Sequence, residues 1–260
     1  MSTAPLTAPA SVGALRLPRL SRGGMQVGIF LLAYLVYSAA RYVTVGSLPD
    51  ATAHADWIVN VEQATSTHVE AGVQHALTGT FVLWILNNLY LAAQLVVLPG
   101  ALWLLYKKSR PAYERLRNTI LATWLISIPV YALFPVAPPR LAGIGMVDTI
   151  TQQTGFAMDS KLTTQFYNEL AAVPSLHVGF AFAVGIALAA ATSNRWLKLL
   201  AHLWGPAIAL AVVATGNHFV FDIVAGMVAA AAGYGLGILV SRAGEWRSRT
   251  AALSVALARA

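Results

Sequence analysis

The sequence predicts an all-α protein, a six-helix transmembrane bundle. Hydrophobic residues make up 57% of its 260 residues and charged residues only 10%, whereas soluble domains carry about 25% charged residues. Six apolar stretches are long enough to cross a bilayer as helices of about 20 residues. They cover approximately residues 25–46, 79–106, 118–135, 174–192, 199–216 and 219–241.

The positions of the basic residues predict the orientation of these spans. A net charge of +7 could indicate nucleic-acid binding, but 14 of the 17 Lys and Arg residues lie at 16–22, 107–117, 195–198 and 242–259. By the positive-inside rule these four segments are cytoplasmic. We therefore expect a multi-pass protein of the cell membrane with both termini in the cytoplasm, the bilayer as a partner and no nucleic-acid partner. The sequence leaves the oligomeric state open.

The predicted domain organisation has three parts. Residues 1–24 have no apolar core beside a cleavage site, so we expect a disordered cytoplasmic tail rather than a signal peptide. Residues 25–241 form the membrane domain, and residues 242–260 form a basic cytoplasmic tail. Within the membrane domain, residues 50–77 mix apolar and polar side chains, which favours an interfacial amphipathic helix. The chain has no cysteine, which excludes disulfides, thiolate catalysis and Cys-ligated metals.

Three polar segments converge on the non-cytoplasmic side of this topology. The segment FPVAPPR at 134–140 ends the third span, PSLH at 174–177 opens the fourth, and Asn217-His218 lies between the fifth and sixth. Ionisable groups at membrane helices are costly and usually functional. The convergence predicts an active site on the outer face of the membrane.

The residue types in two of these segments are typical of a phosphate site. Pro174 suits the first turn of a helix, where its missing N–H would have no intrahelical partner. The N–H groups that follow it bind anions, and the Ser175 hydroxyl can add a donor. The planar guanidinium of Arg140 can bind two phosphate oxygens. We expect Arg140, Ser175 and Asn217 to bind a substrate phosphate; the alternative for Arg140 is a headgroup anchor.

The spacing of His218 and Asp222 predicts nucleophilic catalysis. Residues four apart share one face of a helix and can pair. A carboxylate bonded to one ring N–H fixes the tautomer and leaves the other nitrogen free to attack phosphorus. We expect His218 to be the nucleophile and Asp222 to orient it. In the alternative interpretation the pair only neutralises its own charge, and His177 is a core histidine bonded to a carbonyl.

The motifs PSLH and GNHFVFD resemble the second and third signature motifs of the type 2 phosphatidic acid phosphatase superfamily of lipid phosphatases, vanadium haloperoxidases and phosphotransferases. PSLH, rather than PSGH, together with FPVAPPR is similar to its inositol phosphorylceramide synthase-like branch, in a bacterial, actinobacterial-type form. The resemblance implies that His218 attacks the phosphate, that His177 protonates the leaving alcohol and that Asp222 orients His218. It implies no metal and no cofactor.

Two departures from the family pattern affect phosphate binding. The first motif, Lys-x6-Arg-Pro, is not found, and Val212 stands where the family has an arginine six residues before the nucleophile. Arg140 is therefore the main candidate for the phosphate clamp.

The resemblance implies a membrane phosphatase or phosphotransferase that acts on a lipid phosphate or diphosphate through a phosphohistidine. Transfer of inositol phosphate, or another headgroup, to a lipid acceptor is the alternative. A non-catalytic lipid transporter or scaffold is a hypothesis of another class. The position of the ionisable cluster near one surface, with no inverted repeat, disfavours transport.

Overall fold

A computed structural model of the chain describes residues 21–43, 46–158, 160 and 168–257. These residues form helices and no β-strand, with one isolated parallel bridge between Val136 and Ala171. The predicted all-α fold is confirmed. Residues 1–20, which make up most of the predicted N-terminal tail, lie outside the described residues.

The described part of the chain forms ten α-helices. They are α1 Arg22–Val43, α2 Leu48–Ala64, α3 Glu70–Leu77, α4 Phe81–Ala92, α5 Leu98–Lys108, α6 Arg110–Leu133, α7 Thr149–Thr154, α8 Leu176–Ala190, α9 Arg195–Ala214 and α10 Val220–Leu257. A π-helical turn at Ala93–Val97 joins α4 to α5, and a 3-10 turn lies at Pro139–Leu141. The π turn directly precedes Leu98-Pro99, where proline cannot donate the intrahelical hydrogen bond.

Five helical stretches among the described residues are long and apolar enough to cross a membrane. They are Arg22–Ala40, Phe81–Lys108, Arg110–Leu133, Arg195–Ala214 and Val220–Arg242. The predicted fourth span is α8, which is apolar but has only 15 residues. A helix of that length reaches about 22 Å at 1.5 Å per residue, whereas the hydrocarbon core is about 30 Å thick. The chain is a membrane protein, and the count of six spans stays a prediction.

The segment between the first two spans differs from the prediction. The single interfacial helix expected over residues 50–77 is two helices, α2 and α3. Ser66 has a φ of 57°, and an L-residue in this left-handed conformation does not continue an α-helix. The break turns the chain so that the end of α2 and the start of α3 both face the beginning of α10.

The helices that carry the predicted site pack directly on one another. Helix α8 packs against α9 and α10, and α10 also packs against α6. Glycines permit this close approach, because a Cβ on Gly226 would collide with the backbone carbonyl of Ser175 and a Cβ on Gly233 with the side chain of Thr123. The start of α8 therefore lies directly against α10, one helical turn beyond Asp222.

Candidate active site

The turn between α9 and α10 carries His218. Its N–H groups close a Schellman motif, since Gly216 donates to the carbonyl of Val213 and Asn217 to the carbonyl of Val212, each over 3.0 Å. Gly216 has a φ of 72°, and a Cβ added there would lie 3.3 Å from Cβ of Arg140. The left-handed conformation favours glycine at this position, and a Cβ would in addition crowd Arg140. The turn delivers His218 to the start of α10.

The ring of His218 is held by two acceptors at the same nitrogen. Nδ1 lies 2.9 Å from the carbonyl oxygen of Ala172 and 3.2 Å from Oδ2 of Asp222. Because a backbone carbonyl can only accept, Nδ1 carries the proton and donates it. The other ring nitrogen, Nε2, then has its lone pair available. This is the pairing that the spacing of His218 and Asp222 predicted, with Ala172 as an additional partner.

The surroundings of His218 keep its ring neutral. The side chain is 6% exposed. Burial, the largest cause, lowers the pKa of His218 to about 3; the hydrogen bond to Ala172 acts against this and the charge of Arg140 acts with it. A neutral imidazole with a protonated Nδ1 is the form that can attack an electrophile through Nε2.

Asp222 connects three parts of the site. Its Oδ2 accepts a 2.9 Å hydrogen bond from the N–H of Phe219, three residues earlier, which is the carboxylate half of a capping box. The same oxygen faces Nδ1 of His218. The backbone carbonyl of Asp222 accepts the N–H of Ser175 over 3.1 Å. One residue thus fixes the start of α10, the imidazole and the entry to α8.

Helix α8 begins two residues later than the sequence suggested. Ser175 has an extended backbone, with φ −69° and ψ 104°, and is the N-cap; its hydroxyl oxygen accepts the N–H of Val178 over 3.4 Å. The expectation that the helix starts at Pro174 is therefore wrong. The first helical N–H groups belong to Leu176 and His177, and N–H groups at these positions have no intrahelical acceptor.

His177 faces His218 from α8. The centroid of its ring lies 6.1 Å from that of His218. The ring of His177 also stacks on the ring of Tyr90 of α4, with the two centroids 4.0 Å apart and the ring planes inclined by 18°. Nothing in the sequence marks Tyr90, because an aromatic residue in an apolar span is ordinary composition. The stacking fixes the plane of the His177 ring beside His218.

Arg140 and Asn217 form a buried polar pair next to His218. The side chain of Arg140 is 2% exposed; Nη1 donates to Oδ1 of Asn217 over 2.6 Å, and Nη2 lies 3.5 Å from Oε1 of Glu169. The amide of Asn217 donates in turn to Oγ1 of Thr215 over 2.8 Å. Such burial disfavours the headgroup-anchor interpretation of Arg140, since an anchor needs contact with the membrane surface.

Gln74 of α3 fastens the segment after Arg140 to the end of α9. Its Nε2 donates to the carbonyls of Val147 and Ala214 over 3.0 and 3.1 Å, and its Oε1 accepts the N–H of Val147 over 2.9 Å. The side chain is 4% exposed. Gln74 therefore satisfies a loop and a helix end at once, which stabilises the position of Arg140 relative to the His218 turn.

Two glutamates hold the first turn of α10, and no motif in the sequence marks either of them. Glu70 Oε1 accepts the N–H of Val220 over 2.9 Å, and Glu62 Oε1 accepts that of Phe221 over 2.8 Å. The first N–H groups of a helix have no intrahelical acceptor, so these two carboxyl oxygens satisfy donors that α10 itself leaves unpaired. Burial, the largest cause, raises the pKa of Glu62 to about 8; the hydrogen bond from Phe221 lowers it and the charge of Glu70 raises it further.

The segment of the chain that carries these side chains matches a known protein family. The family model described as the PAP2 superfamily matches residues 56–236, a range that contains Arg140, His177, His218 and Asp222. The chain belongs to the PAP2 superfamily, whose members are phosphatases and phosphoesterases. It is a membrane protein of the phosphatase type. No curated protein and no solved structure matches the chain.

Proposed function

We propose that the chain is an integral membrane phosphatase or phosphotransferase that acts on a lipid phosphate or diphosphate through a phosphohistidine at His218. The observation that carries the proposal is the ring of His218, whose Nδ1 donates to Ala172 and Asp222 so that Nε2 is left to attack. Membership of the PAP2 superfamily supports the reaction class. The long apolar helices support a substrate dissolved in the membrane.

The first chemical step is attack of His218 Nε2 on phosphorus. The bond from phosphorus to the leaving oxygen breaks, and His177 donates a proton to that oxygen. The imidazole becomes positively charged as the P–N bond forms, and the carboxylate of Asp222, 3.2 Å from Nδ1, stabilises this charge. The ring position of His177 beside His218 supports its role as the general acid.

The second step releases the phosphoryl group. An acceptor hydroxyl loses its proton to His177 and attacks phosphorus, and the P–N bond breaks, which restores neutral His218. Splitting one displacement into two lowers the barrier of each. Water as the acceptor gives a phosphatase, whereas an alcohol such as inositol, or another lipid headgroup, gives a phosphotransferase by the same intermediate.

Arg140 is the proposed phosphate clamp. Its guanidinium is held at Nη1 by Asn217, the residue directly before the nucleophile. Because the Asn217 amide already donates to Thr215, we assign Asn217 to positioning Arg140 rather than to direct phosphate binding. The Ser175 hydroxyl and the first N–H groups of α8 complete the proposed phosphate site, which the distribution of Lys and Arg assigns to the outer face of the cell membrane.

A panel of lipid phosphates and diphosphates tests the proposal. Purified protein in detergent is assayed for both release of free phosphate and exchange of radiolabelled headgroup alcohol. We expect at least one activity in the wild type and in His202→Ala, which changes an exposed histidine of α9, and neither in His218→Ala. A folded wild type that binds lipid phosphates but shows neither activity would instead favour the transporter or scaffold hypothesis.

A further inference from the structure

Three side-chain atoms of the kinds that bind metal ions lie close together beside the first turn of α10. They are Oε2 of Glu62, Nδ1 of His68 and Oε2 of Glu70. Nδ1 of His68 lies 3.6 Å from the Glu62 oxygen and 3.3 Å from the Glu70 oxygen. All three atoms lie within 4.8 Å of one another. They come from the end of α2, the connecting turn and the start of α3.

These three atoms are buried, and none makes a hydrogen bond of good geometry among the residues that the structure describes, although Nδ1 of His68 lies within ion-pair distance of both carboxylates. Glu62 is 1% exposed and Glu70 is fully buried, so desolvation of their oxygens is costly unless another group compensates for it. Both side chains are fixed, because Oε1 of each already accepts an N–H of α10. Their Oε2 atoms are thereby aimed at the same point, toward His68.

The separations fit a tetrahedral metal ion. With Zn–N and Zn–O bonds of about 2.0–2.2 Å, tetrahedral angles place two ligand atoms about 3.3–3.5 Å apart. The 3.3 and 3.6 Å separations at His68 agree with that edge length. Imidazole nitrogen and carboxylate oxygen are both zinc ligands, and water can take the fourth position. The side chain of His68 is 25% exposed, which leaves a route for the ion to enter.

We propose that Glu62, His68 and Glu70 bind one zinc ion. Each carboxylate would bridge the ion and α10, with Oε2 on the metal and Oε1 on a backbone N–H of Val220 or Phe221. The ion therefore lies behind the helix that follows the nucleophile, where it fixes the first turn of α10. The proposed effect of the ion is to hold this turn in place through the two carboxylates, whose Oε1 atoms accept the N–H groups of Val220 and Phe221.

Cobalt binding to the full-length protein in detergent tests the site. After the metal is stripped with a chelator, Co²⁺ is titrated and the visible absorption bands of tetrahedral cobalt are followed, with Zn²⁺ added to displace it. We expect one Co²⁺ per chain in the wild type and in His75→Gln, which alters an exposed histidine of α3. His68→Gln should bind at least tenfold more weakly, since even groups that only support a metal ligand contribute about 10–100-fold.

A second variant and a second measurement guard against a folding artefact. Glu70→Gln keeps a carbonyl oxygen for the N–H of Val220 while removing the anionic ligand. We expect Zn²⁺ to raise the melting temperature of the wild type and His75→Gln, but not of His68→Gln or Glu70→Gln. If the wild type bound no Co²⁺, or bound it as tightly as His68→Gln, the proposal would be wrong. These readouts do not involve turnover, so failure of the proposed phosphatase activity would leave them unaffected.

Discussion

Nη1 of Arg140 donates a 2.6 Å hydrogen bond to Oδ1 of Asn217, the residue directly before His218. The partners are 77 residues apart in the sequence, and the backbone N–H of Arg140 also donates to the carbonyl of Gly216 over 2.9 Å. The segment that ends the third predicted span and the turn that carries the histidine are thus joined by main-chain and side-chain bonds. A phosphate bound by Arg140 would lie beside the proposed nucleophile.

This pair predicts that Asn217 acts through Arg140. Hydrogen bonds to charged groups contribute about 1.5–3 kcal/mol, so Asn217→Ala should lower kcat/KM by about 10- to 100-fold. Arg140→Gln should be at least as damaging, and the double variant should be no worse than Arg140→Gln alone. Asn88→Ala is the control, since among the described residues the side chain of Asn88 donates to the carbonyl of Trp84, one helical turn earlier. Losses that simply multiply in the double variant would contradict the coupling.

Gly216 predicts a backbone requirement at the same turn. Gly216→Ala places a Cβ on a residue with a φ of 72°, which costs about 1–2 kcal/mol in the left-handed region, and crowds Arg140. We expect a lower melting temperature and reduced activity. Gly235→Ala is the matched control, because nothing lies within 4 Å of its added Cβ and it lies inside a helix. Equal melting temperatures for the two variants would argue against a strained turn.

The topology can be tested with single cysteines, because the native chain has none. Gln152→Cys replaces an exposed residue of α7, in the predicted outer segment, and Ser193→Cys replaces an exposed residue of the α8–α9 connection, on the predicted cytoplasmic side. In intact cells an impermeant thiol reagent should label the first and not the second. The reverse pattern would place the active site on the cytoplasmic side.

The division of labour between the histidines predicts a dependence on the leaving group. General acid catalysis contributes about 10²- to 10⁴-fold, and an acidic leaving group such as p-nitrophenol needs little protonation. His177→Ala should therefore slow phosphoenzyme formation strongly with a lipid alcohol as leaving group and weakly with nitrophenyl phosphate. Equal losses with both substrates would remove the proposed role of His177 as the acid.

Local patterns in the sequence predicted part of the site. The relation of His218 to Asp222 spans four residues and needs only helical periodicity, and the apolar spans follow from composition. The partners that complete the site come from distant segments. Ala172 contributes a backbone carbonyl, and the residue type at a position does not indicate how its carbonyl is used. Glu62 and Glu70 bind residues of α10 that are 159 and 150 positions later in the sequence.

The start of α8 shows how an accurate local rule can still place a boundary wrongly. Proline is compatible with a first helical turn, but serine is a stronger N-cap. In the structure Ser175 takes that position, and its N–H donates to the carbonyl of Asp222. Contact with α10 therefore decides the boundary, and a single-segment argument does not contain that contact. His177 still lies in the first turn of α8, facing His218.

Identification of the phosphorylated residue tests the central claim most directly. The purified protein is mixed with radiolabelled lipid phosphate, quenched within milliseconds and digested, and the labelled peptide is sequenced under alkaline conditions that preserve P–N bonds. We predict an acid-labile label on His218 in the wild type and in His202→Ala, and no label in His218→Ala. Label on another residue, or persistent label in folded His218→Ala, would contradict the account.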